Sequence, residues 1–133
     1  MNIIDVVSKA LEKQCNVLFA YLYGSYARGE AHKFSDLDVA VYLKEFTIKN
    51  YLDLFSVIPT SVNVEIDLRA LNNAPPLFRY RVIKEGRLLF VKDKKALEKF
   101  VYETLIEALE IKETISSIER ERIKRFLNDK RNR

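Results

Sequence analysis

Two segments of this chain alternate regularly between apolar and polar residues, and this alternation restricts the fold more than any other feature. In residues 37–43, and again over most of residues 61–71, every second side chain is apolar. A β-strand repeats every two residues, so each segment predicts a strand with one apolar face and one polar face. We therefore expect a sheet that buries at least one face in a core.

The remainder of the first 93 residues alternates between helical and extended patterns. A continuous apolar run at 16–23 predicts a buried strand, and residues 87–91 predict a last short strand. Helical patterns lie at 2–13, 48–57 and 77–84. Helices and strands in alternation predict an α/β or α+β domain.

The C-terminal third of the chain predicts a long helix. Residues 94–127 contain no Gly or Pro, and their apolar residues recur at steps of three and four, as in one helix or in two with a bend. We therefore divide the chain into a core at 1–93 and a C-terminal helix with a basic tail at 94–133, which either belongs to the same domain or forms a partner surface. The apolar stripe continues past Glu110, where it predicts an interface, a pair with a second copy or a return over the sheet.

Composition and charge exclude several classes of protein. The chain is 48% hydrophobic and 32% charged, as in ordinary globular domains, and no apolar run approaches the roughly 18 residues that cross a membrane. The net charge of +4 comes entirely from residues 119–133, because the first 118 residues balance to zero. This tail has only Phe126 for stacking on bases, so a solvated helix end is favoured over an RNA-binding module. With Cys15 as the single cysteine, no internal disulfide forms, which predicts the cytoplasm.

Four acidic residues fall in phase on the polar faces of the two alternating strands. Neighbours two apart on a strand are about 7 Å apart and adjacent strands about 4.8 Å apart, so these carboxylates are expected to crowd. Crowded like charges are costly unless a cation neutralises them, and a two-metal site needs such an arrangement. Oxygen ligands with a single histidine in the chain favour Mg²⁺. The alternative is a solvated sheet face decorated by Asp36, Asp38, Glu65 and Asp67.

Gly24 and Ser25 follow the apolar strand at the point where a helix can begin. The N–H groups at such a helix start suit a phosphate, and glycine permits close approach. Arg28 follows about one turn later and could reach the same phosphate. An ordinary helix cap and a surface arginine are the competing interpretations.

The spacing of these residues resembles a known signature. Gly24-Ser25, ten intervening residues and Asp36-Leu37-Asp38 spell GS-x₁₀-DxD, which resembles the DNA polymerase beta-like nucleotidyltransferase superfamily. The string GSYARGEAHKFSDLDVAVYL, with VEIDLRALNNAPP and VIKEGRLLF after it, is similar to the minimal nucleotidyltransferase (MNT) branch over about residues 15–92. Matched by position, the third acid of that branch is Asp67, and Glu65 does not match.

The resemblance implies a mixed sheet flanked by helices, two Mg²⁺ ions, and transfer of a nucleoside monophosphate from an NTP to a hydroxyl. It implies that Asp36, Asp38 and Asp67 are the metal ligands and catalytic acids, and that Gly24 and Ser25 hold phosphates. Branch members paired with a HEPN-type ribonuclease toxin are antitoxins that transfer AMP from ATP to a tyrosine of the toxin. If β-strand 61–71 runs antiparallel to 37–43, its end carrying Asp67 lies beside Asp36.

Three alternative functions stay open from the sequence. One is a nucleotidyltransferase that modifies a small molecule, although such relatives usually carry a second domain. Another is a non-catalytic antitoxin that blocks its partner by occlusion. The third is the RNA-binding module, which we favour least. The sequence decides neither the acceptor nor the choice between a homodimer and a hetero-oligomer.

Overall fold

The structure, a computed structural model, describes residues 2–59 and 63–131. The strands in these residues are β1 (Val17–Tyr23), β2 (Leu37–Leu43), β3 (Ile66–Ala70) and β4 (Arg87–Val91). They form one mixed sheet in the order β3-β2-β1-β4. β1 pairs antiparallel with both β2 and β4, whereas β2 and β3 are parallel.

Within the described residues five α-helices flank the sheet, so the predicted class, a mixed sheet flanked by helices with a long C-terminal helix, is confirmed. Local signals start three of them: the Asn2 side chain accepts from the N–H of Asp5 at 2.9 Å, Thr47 accepts from the N–H of Asn50 at 3.0 Å, and Asp93 accepts from the N–H of Ala96 at 3.0 Å. No helix in the described part of the chain is both long and apolar enough to span a membrane. The helices are α1 (Ile3–Glu12), α2 (Gly24–Arg28), α3 (Ile48–Asp53, followed by a 3₁₀ turn at Leu54–Ser56), α4 (Pro76–Glu85) and α5 (Lys94–Arg131).

β2 and β4 occupy the predicted residues, but β3 is shorter than the strand predicted at 61–71. Residues 63–65 are not in a strand, and 60–62 lie outside the described residues. β3 is an edge strand whose neighbour, β2, begins only at Leu37. The N–H of Leu37 donates to the carbonyl of Glu65 at 2.8 Å, so residues before Glu65 have no strand to pair with.

Both faces of the sheet are covered, which corrects the prediction of one apolar and one polar face. On one face the odd-numbered residues of β2 pack with α1, and Val7, Leu11 and Val39 are fully buried. On the other face Phe19 and Ala40 belong to a second buried cluster closed by α4 and α5. The polar positions of β2 therefore face helices over most of their length. At the end of this face that carries the acidic residues, Asp38 and Asp67 are half-buried and remain accessible.

α5 is one continuous helix whose first part packs on the body of the protein. Phe100, Thr104 and Ala108 are buried against the sheet and α4. Arg79 of α4 donates to the hydroxyl of Thr104 at 3.1 Å and pairs with Glu107. Beyond Ala108 the side chains described are exposed, apart from one that is half-buried. The alternative that the apolar stripe returns over the sheet is therefore wrong.

Candidate active site

Three residues on three neighbouring strands lie opposite one another at the accessible end of the sheet. Tyr23, the last residue of β1, pairs with Asp38 of β2, and Asp38 pairs with Asp67 of β3. Residues opposite each other in a sheet point to the same face. The antiparallel arrangement considered for β2 and β3 is wrong, because the connection through α3 returns the chain in the same direction. Parallel pairing places Asp67 beside Asp38 rather than beside Asp36.

The backbone at Gly24 lies directly against the carboxylate of Asp38. Gly24 is buried and has a φ of +72°, a left-handed conformation that glycine adopts freely. A Cβ at this position would stand 2.0 Å from Oδ2 of Asp38. Any other residue would therefore be strained and would displace the carboxylate. Glycine is required here by backbone conformation and by space together.

Asp38 lies in an environment that disfavours its charge. Burial raises the pKa of Asp38, and the negative charges of Asp67 and Asp36 raise it further. A hydrogen bond between the carboxyl groups of Asp38 and Asp67 adds to the rise, while the charge of Arg69 opposes it. Neighbouring carboxylates repel each other when both are ionised, and a cation would offset that repulsion. The structure thus brings Asp36, Asp38 and Asp67 into one electrostatic group.

The oxygen atoms of this group suit a hard divalent cation, although the side chains do not form a complete coordination sphere. Within residues 2–59 and 63–131, no three His, Cys, Asp or Glu side chains converge on a point where they could hold a metal ion. Asp38 and Asp67 form the closest part of the group, and Asp36 is exposed just before β2. Carboxylate oxygens are the ligands that Mg²⁺ prefers, and a cation would offset the repulsion between these charges. Asp38 and Asp67 are the residues placed to hold such a cation, and the part assigned to Asp36 stays a prediction.

Two residues that sequence reasoning missed complete the surroundings of Asp67. Nε of Arg69 lies 3.5 Å from Oδ2 of Asp67, and its guanidinium lies 5.5 Å from the centre of the Phe78 ring. The hydroxyl of Tyr23 is buried and finds no hydrogen-bond partner among the described residues. Burial, and next the charge of Asp67, raise the pKa of this phenol strongly. Arg69 could have been found from its phase, two residues after Asp67 on the same strand.

Other predicted site residues are placed less directly. Ser25 is half-buried at the start of α2, and no side chain caps that start. Arg28 pairs with two carboxylates, its Nε 3.0 Å from Glu30 and its Nη1 3.8 Å from Glu85, which it would have to release to reach a phosphate. Glu65 is exposed ahead of β3 and contributes nothing to the shifted pKa of Asp38.

A model of the polymerase beta nucleotidyltransferase family matches residues 5–95, which include every residue of this group. The chain belongs to this family. The resemblance seen in the GS-x₁₀-DxD spacing is therefore confirmed. Membership in the nucleotidyltransferase family implies a nucleotide substrate and, typically, a divalent metal ion.

Relatives and solved structures extend this comparison. The nucleotidyltransferase is 31% identical to protein adenylyltransferase MntA of Shewanella oneidensis over 72 residues, or 53% of this chain and 51% of MntA. The matched part thus spans about half the length of that relative. A toxin–antitoxin crystal structure with AMP-PNP has a TM-score of 0.72 at 22% identity, covering 89% of this chain and 95% of the other. A tri-AMPylated Shewanella oneidensis HEPN toxin in complex with MNT antitoxin gives 0.67 at 19%, covering 87% and 92%. At these levels of identity, the similarity shows that this chain has the same fold as the chains compared in the two solved structures.

Proposed function

We propose that this nucleotidyltransferase transfers AMP from ATP to a tyrosine hydroxyl of a HEPN-type ribonuclease toxin, and that it acts as the antitoxin of this pair. The name of the MntA relative supports protein adenylylation as the reaction. The toxin–antitoxin complexes of the same fold, one of them containing an AMPylated HEPN toxin, support the partner. The cytoplasm stays the predicted compartment.

The observation that supports this proposal most strongly is the alignment of Tyr23, Asp38 and Asp67 across the three neighbouring strands β1, β2 and β3. The carboxylate of Asp38 occupies the space that a side chain at position 24 would need, which is why this residue is Gly24. Asp38 in turn pairs in register with Asp67. The polypeptide thus keeps two like charges together at the start of α2, where their mutual repulsion is a cost to the fold. A solvated sheet face has no need of such an arrangement, whereas phosphoryl transfer does.

Each residue of the site has a distinct task in the proposed reaction. Asp36 and Asp38 would hold two Mg²⁺ ions, and Asp67 would complete the second position. When bound, the ions neutralise the charge that develops on the phosphates. Gly24 and Ser25 would lie along the β- and γ-phosphates, with Arg28 as a further candidate.

In the chemical step one phosphorus–oxygen bond forms and another breaks. The acceptor oxygen bonds to the α-phosphorus of ATP, and the bond from that phosphorus to the oxygen bridging to the β-phosphate breaks. Pyrophosphate leaves in line with the attack. Asp67 orients the acceptor hydroxyl and accepts its proton, a role that its position at the exposed edge of the site permits.

A transfer assay with a matched inactive variant tests the proposal. The chain is incubated with Mg²⁺, ATP labelled at the α-phosphate and a HEPN-type toxin, with the product of the neighbouring gene as the first candidate, and mass spectrometry locates the label. We expect AMP on a tyrosine of that protein with the wild type and none with Asp38→Asn combined with Asp67→Asn. A double variant that still neutralises the toxin would favour occlusion. Label on a small molecule alone would favour the small-molecule alternative.

A further inference from the structure

Arg69 is the one positive charge paired with a proposed metal ligand among the described residues, and the reaction outlined above gives it no task. Its Nε lies 3.5 Å from Oδ2 of Asp67. Both side chains belong to β3 and lie two residues apart, so they project from the same face of the strand. Arg69 nevertheless remains 57% exposed, with its guanidinium 5.5 Å from the centre of the Phe78 ring. It can therefore turn outward without disturbing the core.

Arg69 and a cation compete for the same carboxylate. In the metal-free protein the guanidinium offsets the repulsion between Asp67 and Asp38, and its charge counteracts the rise in the pKa of Asp38. A divalent cation between these carboxylates would stand within a few ångströms of the guanidinium and repel it. The triphosphate that accompanies the cation offers anionic oxygens to which an arginine can donate two parallel hydrogen bonds.

The Tyr23 hydroxyl supplies a replacement partner for Asp67. Tyr23 is only 5% exposed, and its hydroxyl makes no hydrogen bond to any described residue, although the charges of Asp67, Arg69 and Asp38 all act on it. An unpaired buried hydroxyl costs free energy and calls for an explanation, such as a catalytic role or a partner that is absent from the structure. As a neutral donor it can orient Asp67 without repelling a cation, as the outer partners of metal ligands do.

We propose that Arg69 is a nucleotide-binding residue that the metal-free site holds on Asp67: when a cation binds there, Arg69 transfers to the phosphates of the nucleotide and Tyr23 becomes the partner of Asp67. This inference rests on the proposed function, since it uses the same carboxylates. It makes one distinctive demand. Removal of the guanidinium must strengthen binding of the metal ion and weaken binding of the nucleotide.

Two binding measurements on Arg69→Gln separate these opposite effects. Mn²⁺ alone, counted from the electron paramagnetic resonance signal of the free ion, reports on the carboxylates, which also suit this metal. We expect the Mn²⁺ dissociation constant to fall about fivefold, because the competing charge is gone. Calorimetric titration with ATP at saturating Mn²⁺ then reports on the phosphate contact. The ATP dissociation constant should rise about tenfold.

Arg81→Gln is the matched control. Arg81 is 55% exposed, close to the value for Arg69, and its charge also acts on Tyr23, but it pairs with Glu85 at 3.3 Å rather than with Asp67. Both dissociation constants should stay within about twofold of the wild type. Arg69→Lys keeps the charge and loses the planar fork, so it should bind Mn²⁺ like the wild type and ATP more weakly.

The outcomes distinguish this inference from the proposed function. The exchange of Arg69 from Asp67 to the nucleotide is overturned if, in Arg69→Gln, the Mn²⁺ and ATP dissociation constants change in the same direction or neither changes. The proposed function would remain in place. A wild-type chain that binds neither Mn²⁺ nor ATP would overturn both. If Arg69→Gln does not fold, Arg69→Lys decides: unchanged Mn²⁺ affinity with weaker ATP binding supports the exchange, and unchanged ATP binding overturns it.

Discussion

The Cα of Gly24 and the carboxylate of Asp38 are in such close contact that a methyl group on Gly24 would stand 2.0 Å from Oδ2 of Asp38. The contact joins the end of β1 to the start of β2 and fixes the direction in which Asp38 points. A glycine with the same φ of +72° but nothing within 4 Å, Gly29, lies five residues away. Gly29 therefore serves as a control that separates the effect of a positive φ from the effect of the contact with Asp38.

Gly24→Ala should abolish the site, whereas Gly29→Ala should not. Both substitutions carry the strain of a side chain at positive φ, about 1–2 kcal/mol. Only the first also forces the carboxylate away, so its loss in the free energy of unfolding should reach about 3 kcal/mol. Chemical denaturation measures these values, and thermal shift with Mg²⁺-ATP measures the site. Equal losses in the two variants would show that the contact with Asp38 is unimportant.

Removing the acidic charges should abolish metal-nucleotide binding without unfolding the protein. Mg²⁺ with ATP should raise the melting temperature of the wild type, and Asp36→Asn combined with Asp38→Asn should remove this rise. The melting temperature without ligand should be unchanged or higher, because two crowded like charges have been removed. A double variant that keeps the full rise would place the site elsewhere in the chain.

The raised pKa of Asp38 predicts how the single variant Asp38→Asn depends on pH. Its ordinary value is 3.8, and in the folded protein the carboxyl group keeps its proton to higher pH. As pH rises from 3.8 through the folded value, the unfolded chain ionises first, so the wild type loses stability relative to Asp38→Asn. Urea unfolding measures the difference in free energy of unfolding between Asp38→Asn and the wild type. We expect this difference to be constant below pH 3.8 and to shift in favour of the variant as pH rises above it. An advantage that shrinks as pH rises would contradict the burial of this carboxyl group.

Asp67 and Glu65 should differ sharply in their importance for catalysis. Asp67 pairs in register with Asp38, whereas Glu65 precedes β3 and is exposed. Asp67→Asn should lower the rate of AMP transfer about a thousandfold, and Glu65→Gln should change it less than about threefold. Single-turnover rates with labelled ATP provide the comparison. Similar losses in the two variants would mean that the side chain of Glu65 turns into the site.

The exposed half of α5 should be needed for the partner but not for the fold. Ala108 is the last residue of α5 that is buried, and exposed apolar side chains continue past it to Ile115 and Ile118. Such a stripe usually marks an interface. Truncation after Glu110 should therefore preserve Mg²⁺-ATP binding while abolishing capture of the toxin and transfer to it.

A full-length variant with Ile115→Ser and Ile118→Ser separates the apolar stripe from the length of the helix. It should lose partner capture like the truncated chain while it keeps the same helix content by circular dichroism. Sedimentation without the partner shows whether the stripe also joins two copies of the chain. Transfer by the truncated protein at the full-length rate would show that α5 has no part in docking. A truncated chain that fails to fold would assign the helix to the core.

Local patterns were sufficient for most elements of the fold and for a proposal of which acidic residues form the site. Alternation predicted the bounds of β2, and the absence of Gly and Pro after Lys94 predicted α5, because both signals depend only on the chain's own period. The spacing from Gly24 to Asp38 was enough to indicate the family. These features are set by residues that are near neighbours in sequence.

Contacts between distant segments were beyond such patterns. The direction of β3, its late start at Ile66 and the cover over the second face of the sheet all depend on which strands and helices come to lie side by side. The same is true of Tyr23 and Arg69, whose significance comes only from their positions beside Asp67. The sequence determined which residues carry charge at the site. Only the tertiary structure decided which of them meet, because burial and pairing across strands are properties of the assembled sheet.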